Sequence, residues 1–332
     1  MQKTTKSQWL WVGISVVFVA LFMWLGAKGK NGQQGESNTM RIAVSTTPLS
    51  TPFFVANALG LYDKQGLSVE MIPCTGGVEC AKLLMQGEVD LATASESVAM
   101  FNAFDHPELA LLATFVESDN DVKLVSLSSS DIRQVSQLQG KRIGVIQGSA
   151  SEFYLDAVLL SHEASHLDIK KVFVASSEIV TALLEGQVDA ISAWEPMIYQ
   201  IHQATGGEIN HLGLTGLYQL SFNLLSTQPY LAQASDGPMQ LIQSLDQAIE
   251  WIHLNPENAQ KLAAEFLALP AEQITWSWDD YVFRLSLGNA LLSNLQIQAR
   301  WAKQNGLVDN DMPDFRQLLY TEPFEQWSEL RD

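Results

Sequence analysis

Two glutamates that each follow an apolar run, Glu96 and Glu195, are the side chains best suited to chemistry in this sequence. A pair of carboxylates can act as acid and base across a substrate, as in glycosidases, or can bind an ammonium group. Trp194 precedes Glu195, and an aromatic face beside a carboxylate suits an ammonium group or a flat ring. Ser149 is not a catalytic nucleophile elbow, because the Gly-x-Ser-x-Gly pattern is missing around it. The residues favour binding over catalysis, and we expect no enzyme activity.

Small residues stand at the start of two predicted helices, where Gly76-Gly77 precede one and Ser149 precedes the other. The first N–H groups of a helix have no partner within the helix and lie at the positive end of its dipole. A sulfonate or carboxylate can therefore bind there without an arginine. The alternative is ordinary capping of the helices by Thr and Ser. No lysine or arginine occurs between Lys171 and Lys261, so this part of the chain has no cationic side chain to offer an anion.

The stretch from Met40 to Glu96 must position the first of these groups. Apolar runs at 41–45, 67–72 and 89–92 predict strands, and helical spacing separates them. A β-α-β-α-β order with short connections predicts a mostly parallel sheet, and ligands bind beyond the carboxyl ends of its strands. The strand ends carry hydroxyl, glycine and acidic residues: Ser45, Thr46, Thr47, Thr75, Gly76, Gly77, Ser95 and Glu96.

A second copy of this pattern follows 99 residues later, since LMQGEVD at 84–90 matches LLEGQVD at 183–189. Continuing the match pairs Glu96 with Glu195, each just past an equivalent strand. The sequence therefore predicts two homologous α/β lobes. Glutamates on two mobile lobes are poorly placed for a fixed catalytic geometry.

The predicted lobe I comprises residues 40–122 and 220–332, and the predicted lobe II comprises 123–219. Two chain crossings between them would form a two-strand hinge. The acidic residues beside the first crossing, Glu117, Asp119 and Asp121, could face the cleft or solvate the hinge, and we favour the hinge.

The strings PFFVANALGLYDKQGLSVE at 52–70 and LLMQGEVDLATASE at 83–96, with a Gly-Gly loop between them, make a family resemblance clear. The chain resembles the substrate-binding proteins of nitrate, sulfonate and taurine ABC importers, a family that also binds the thiamine pyrimidine precursor. The resemblance covers residues 41–308. It implies the type II periplasmic binding protein fold and a monomer that closes on a small solute and delivers it to a membrane permease and its ATPase.

In that family the residues after the equivalent strands line the ligand cleft. The resemblance therefore favours nine ligand-binding residues: Thr46, Thr47, Gly76, Gly77, Ser95, Glu96, Ser149, Trp194 and Glu195. Two acidic groups and two helix starts without a nearby arginine suit a taurine-like or alkanesulfonate-like zwitterion, or an aminopyrimidine stacked on Trp194. Two alternatives remain: a ligand-sensing domain, which an uncleaved membrane anchor would favour, and an enzyme of thiamine-pyrimidine synthesis, which enzyme relatives in the family imply. We expect no cofactor, because the sequence has no G-x-G-x-x-G and no P-loop.

Residues 1–39 predict export from the cytoplasm, since lysines flank an apolar run from Trp9 to Ala27 and a polar linker follows. A cleaved signal peptide and an uncleaved membrane anchor both fit this run. We therefore expect a protein that is periplasmic or anchored to the inner membrane and facing the periplasm. The net charge of −18 argues against nucleic acid as a partner. In an oxidising compartment Cys74 and Cys80 predict a disulfide, with two buried thiols as the alternative.

Overall fold

The computed structural model of the protein describes residues 39–331. The predicted signal or anchor therefore lies outside the described residues, apart from Thr39. Within the described range, no helix combines the length and apolar character that a membrane span requires.

Eleven strands and fourteen α-helices make up this range, and they are numbered in chain order. The strands are β1 Met40–Ser45, β2 Val69–Cys74, β3 Leu91–Ser95, β4 Leu109–Ser118, β5 Val122–Leu127, β6 Arg142–Val145, β7 Lys170–Phe173, β8 Ala190–Trp194, β9 Ile209–His211, β10 Leu220–Thr227 and β11 Val282–Ser286. The helices are α1 Thr51–Ala58, α2 Leu61–Lys64, α3 Gly77–Met85, α4 Glu96–Ala103, α5 Ala150–Ser161, α6 Ile179–Leu184, α7 Met197–Ala204, α8 Gln228–Leu231, α9 Gly237–Leu254, α10 Pro256–Leu267, α11 Ala271–Trp278, α12 Asn289–Gln304, α13 Phe315–Leu318 and α14 Glu322–Arg331.

The strands form two sheets. The first has the order β11-β4-β10-β3-β1-β2, and the second has the order β7-β6-β8-β5-β9. In the first sheet β1 pairs in parallel with β2 and β3, and in the second β6 pairs in parallel with β7 and β8. The remaining pairs are antiparallel. The predicted β-α-β-α-β unit is thus present in each sheet.

The repeat is visible in the contacts at equivalent strands. The backbone N–H of Arg41 donates to Asp90 Oδ2 at 2.7 Å, and that of Arg142 donates to Asp189 Oδ2 at 2.8 Å. A glycine with positive φ, Gly87 or Gly186, ends the preceding helix in both copies. The two copies of the sequence repeat therefore have the same local structure.

The chain passes between the sheets twice, through residues 119–121 after β4 and through 212–219 before β10. These crossings fall near both predicted lobe boundaries, which themselves stay a prediction.

The C-terminal part differs from what its sequence pattern predicts. Helical spacing at 274–306 predicts helix throughout, but β11 interrupts it and forms the edge strand of the first sheet beside β4. The alternating Val282–Ser286 run is too short to stand out from the helical pattern on either side. Pro313 and Pro323 predict a loosely packed end of the chain, yet Phe315 and Trp327 are buried.

Candidate functional site

A cavity lies where strand ends from the two sheets meet. Six of the nine predicted residues line it: Thr47, Gly76, Gly77, Ser95, Ser149 and Trp194. Its volume is about 20 Å³, which is room for about one water molecule. The two walls therefore touch in this structure, and a larger ligand must part them by movement at the crossings.

The wall from the first sheet depends on two glycines. Gly76 has φ +80°, in the left-handed region, and Gly77 begins α3 against the end of β3. A Cβ on Gly77 would lie 2.9 Å from the Cα of Ala94, so only glycine lets the start of α3 approach this strand so closely. The first N–H groups of α3 have no partner within the helix, and they are available at this wall.

The wall from the second sheet consists of Trp194, at the end of β8, and Ser149, the N-cap of α5. The Ser149 hydroxyl donates to the carbonyl of Ile146 at 2.7 Å and accepts from the N–H of Ser151 at 3.2 Å. A Cβ on Gly76 would lie 3.2 Å from Trp194 Cζ2, so the indole contacts the glycine loop of the other wall.

Three residues that line the cavity have a buried polar atom without a hydrogen-bond partner among the described residues. The residues are Ser45, Thr47 and Asp121, and the atoms are Ser45 Oγ, Thr47 Oγ1 and Asp121 Oδ2. Leaving a buried polar atom without a partner costs about 1–3 kcal/mol. Three of the five such atoms found among the described residues belong to residues that line this cavity, which makes it a candidate site for a polar ligand.

Asp121 is the site residue that sequence reasoning placed at the hinge. It lies in the first crossing, it is 1% exposed, and its Oδ1 accepts from the Tyr281 hydroxyl at 3.1 Å. Burial raises the pKa of Asp121 to about 7, and the positive charge of Lys123 offsets part of the rise. Three acidic residues stand close together in sequence here, and only the arrangement of the sheets shows which one reaches the cavity.

Replacing Asp121 by asparagine is expected to stabilise the ligand-free protein at pH 8. Between the usual carboxyl pKa of 3.8 and about 7, the folded protein keeps a proton that the unfolded chain releases. The free energy of unfolding therefore falls as pH rises through this window. Asp121→Asn should flatten this slope and add about 2 kcal/mol at pH 8. Urea titrations at pH 4, 6 and 8 give the free energy of unfolding of both proteins as a function of pH. The same pH dependence in both proteins would contradict the prediction.

Glu96 was predicted to bind ligand, and the structure places it elsewhere. It is fully buried and does not line the cavity. Its carboxylate accepts hydrogen bonds from the Tyr218 hydroxyl, from Ser221 N at 2.8 Å and Oγ at 3.1 Å, and from Gln298 Nε2 at 2.9 Å. Burial raises the pKa of Glu96, and these hydrogen bonds offset part of the rise. The carboxylate connects α4, β10 and α12 and has no free oxygen for a ligand.

Glu195 is likewise buried outside the cavity wall. Its Oε1 accepts from Lys123 Nζ at 3.2 Å and from Trp276 Nε1 at 3.0 Å, and its Oε2 accepts from the N–H of Tyr199 at 3.1 Å. Glu195 therefore caps α7 and connects β8 to α11. Both glutamates directly follow a strand, as the sequence predicts: Glu96 follows β3 and Glu195 follows β8. The direction of their carboxylates is decided by buried hydrogen-bond donors from distant parts of the chain.

Thr46 also lies outside the cavity. It is exposed, and its hydroxyl donates to the carbonyl of Cys74 at 3.1 Å. Its neighbour Thr47 faces the cavity because successive residues of an extended chain point to opposite sides.

A disulfide joins Cys74 and Cys80, whose Cα atoms are 5.4 Å apart. It connects the end of β2 to α3 and encloses the Gly76-Gly77 loop of the cavity wall. The alternative of two free thiols does not describe this structure.

Replacing Cys74 and Cys80 together by alanine is expected to lower the free energy of unfolding by about 2 kcal/mol, since the bond closes a short loop. Ligand affinity should fall as well, because the loop is no longer held. Urea titration and calorimetry check both effects, with reductant added to the wild type as a second route to the same state. Unchanged affinity in the double variant would show that the bond does not organise the wall.

A larger cavity of about 360 Å³ lies beside Lys123, Tyr154, His211, Trp276 and Asp280. Its charges are already paired, since Lys123 Nζ lies 3.2 Å from Glu195 and 3.9 Å from Asp280. Another cavity, of about 550 Å³, lies beside Phe153, Tyr218 and Arg284. Size favours these two cavities, but the unsatisfied polar atoms and the helix starts favour the smallest one. We therefore take the smallest cavity as the candidate binding site. No cluster of three or more potential metal ligands occurs within residues 39–331.

Comparison with known proteins agrees with a binding site. A model of the NMT1/THI5-like family matches residues 47–259. A protein of Bacillus subtilis (strain 168), to which binding of aliphatic sulfonates is ascribed by name, is 24% identical over 245 residues, covering 71% of this chain and 73% of its own. The solved structure of the alkanesulfonate-binding protein SsuA from Xanthomonas axonopodis pv. citri bound to MOPS aligns with a TM-score of 0.77 and 20% identity, covering 85% of this chain and 98% of that chain.

An enzyme also occurs among the relatives. The 4-amino-5-hydroxymethyl-2-methylpyrimidine phosphate synthase of Schizosaccharomyces pombe is 24% identical over 144 residues, covering 43% of this chain and 40% of its own. The binding protein thus matches over a larger share of both chains than the enzyme does. The predicted periplasmic binding protein fold with two α/β lobes is confirmed. The relative and the solved structure that match over most of this chain are both named as binding proteins, which agrees with the expected solute-binding role.

Proposed function

Because the chain belongs to the NMT1/THI5-like family, we propose that it is the solute-binding component of an ABC importer. It closes on a small organic ligand and delivers it to a membrane permease and its ATPase. The observation that carries this proposal is the cavity between the two sheets, with its three unsatisfied polar atoms and the starts of α3 and α5. A ligand that fills it joins the two walls and so stabilises the closed form.

The wall suggests the chemistry of the ligand. Its helix starts and hydroxyl groups suit an anionic or strongly polar end, and among the described residues no lysine or arginine lines it. Trp194 supplies an apolar face, and Asp121 supplies the carboxylate that the glutamates do not. A taurine-like or alkanesulfonate-like zwitterion fits this arrangement, and an aminopyrimidine stacked on Trp194 fits it as well.

The protein is proposed to act in the periplasm. It is proposed to act there as a monomer. Importers of this kind collect their solute outside the cytoplasm, and a solved structure that shares the fold is named as an alkanesulfonate-binding protein. The predicted export segment at residues 1–39 is consistent with this, either as a cleaved signal or as an anchor.

A thermal-shift screen of the full chain tests the proposal. The panel is taurine, alkanesulfonates, aminopyrimidines, betaines, amino acids, nitrate and sulfate. Each compound is present at about millimolar concentration, which is about 1,000 times the Kd of a ligand that binds with micromolar affinity. Such a ligand should stabilise the protein by about 4 kcal/mol, which raises Tm by several degrees. A shift with an organic panel member and no turnover of it would support the proposal. No shift with any member, or a shift with sulfate or nitrate alone, would contradict it.

A further inference from the structure

We infer that Asp121 selects ligands that carry a protonated amine or another N–H donor, and that Asp121 Oδ2 binds this group. The inference rests on the proposed function and narrows its ligand class. Its basis is the state of one carboxylate in a residue that lines the cavity. Asp121 Oδ1 accepts a hydrogen bond from the Tyr281 hydroxyl at 3.1 Å, and Oδ2 is buried without a partner among the described residues. Tyr281 is itself placed by the Ser277 hydroxyl at 2.9 Å, so the carboxylate has a fixed orientation.

Other buried carboxylates of the protein show what a purely structural one looks like. Glu96 accepts four hydrogen bonds and Glu195 accepts three, and in each both oxygens are used. Glu152 has one oxygen without a hydrogen bond, but Lys171 Nζ lies 3.7 Å from it, and Glu152 does not line the cavity. Asp121 differs from all three, since it has an oxygen without a partner among the described residues and also lines the cavity in which a ligand is expected.

The charges around Asp121 favour a cation over an anion at Oδ2. The groups that face it are Lys123 of β5, Glu195 after β8, and Asp280 and Tyr281 after α11. Lys123 donates to the carbonyl of Asn120 at 2.5 Å and pairs with Glu195 and Asp280, so its charge is already shared between two other carboxylates. An ammonium group on a ligand would offset the remaining negative charge.

The positive helix starts at Gly76-Gly77 and Ser149 line the same small cavity as Asp121. A ligand that meets both kinds of group has a polar or anionic end and an N–H donor only a few bonds apart. Short aminoalkyl anions and small aminopyrimidines have this shape. Long unsubstituted alkyl anions do not.

Two matched pairs of compounds test the inference by calorimetry on the full chain. One pair is taurine and propane-1-sulfonate, which replaces the amine by a methyl group. The other is 4-amino-2,5-dimethylpyrimidine and 2,4,5-trimethylpyrimidine. For at least one pair, the wild type should bind the amine-bearing member about 10- to 100-fold more tightly at pH 8. Asp121→Asn should remove this preference and leave the affinity for the other member within about threefold.

Asp119→Asn is the matched control, because Asp119 is an exposed carboxylate two residues away that does not line the cavity. It should behave as the wild type. Lowering the pH from 8 to 5 should reduce the preference for taurine in the wild type and in Asp119→Asn, but not in Asp121→Asn, because Asp121 has a pKa of about 7. A merely structural residue would lower Tm when replaced, whereas Asp121→Asn should raise the Tm of the ligand-free protein.

The outcomes separate this inference from the proposed function. If both members of a pair bind equally well and Asp121→Asn changes neither, the site stands and the inference is overturned. If none of the four compounds binds, the proposed ligand class fails and the inference fails with it.

Discussion

Replacing Gly76 by leucine is expected to weaken ligand binding by about 100-fold. Gly76 adopts φ +80°, and even a Cβ there would lie 3.2 Å from the Trp194 ring. A leucine side chain would occupy a cavity of about 20 Å³ and push Trp194 away. The two walls could then no longer close on a solute. Calorimetry with a compound that stabilises the wild type in the thermal-shift screen measures the effect.

Gly87→Leu provides the matched control for backbone strain. Gly87 also has a positive φ, of 70°, and no other described atom lies within 4 Å of a Cβ built there. Gly87→Leu should lose about 1–2 kcal/mol of stability, because leucine is strained at a positive φ. Gly76→Leu should lose at least as much, because its side chain also meets Trp194. Only Gly76→Leu should lose affinity. Equal affinities in the two variants would show that the glycine loop and Trp194 do not enclose the ligand.

Replacing Glu96 by alanine is expected to lower the free energy of unfolding by about 3–5 kcal/mol. The change leaves buried donors of Tyr218, Ser221 and Gln298 without their acceptor and opens space between α4, β10 and α12. The stability of Glu96→Gln should lie between those of the wild type and Glu96→Ala. The amide keeps one acceptor oxygen, but it places an NH2 group against other hydrogen-bond donors. Urea titration monitored by circular dichroism measures the loss.

The exposed Glu88 is the control for removing a glutamate. Glu88→Ala should change stability by no more than about 0.5 kcal/mol. A Glu96→Ala variant that keeps its stability but loses ligand affinity would contradict a structural role for Glu96. It would instead return this residue to the binding role that the sequence suggested.

The parts of the site that sequence predicted well are those fixed by local pattern. An apolar run that ends in Gly76-Gly77 or before Ser149 identifies a strand end and a helix start, and these positions line the cavity. Trp194 was found through its place after the repeated Gly-x-Val-Asp turn. Such features depend on neighbours within a few residues, so one sequence contains the information.

The parts that sequence did not predict depend on contacts between distant segments. The partners of Glu96 lie more than 120 residues away, at Tyr218, Ser221 and Gln298. Nothing in the local pattern distinguishes a glutamate with such partners from one that faces a cleft. Asp121 is the opposite case: the sequence favoured a hinge role, whereas the residue lines the cavity and has a buried oxygen without a partner among the described residues. Long-range burial decides both cases.

A crystal structure of the protein with a compound that stabilises it would show where the ligand binds. We expect the ligand between Trp194 and the Gly76-Gly77 loop, with the two walls farther apart than in the ligand-free cavity of about 20 Å³. A polar end should lie at the start of α3 or α5, and Ser45 Oγ or Thr47 Oγ1 should gain a partner. A ligand bound instead in the 360 Å³ cavity beside Trp276 and Lys123 would contradict the account.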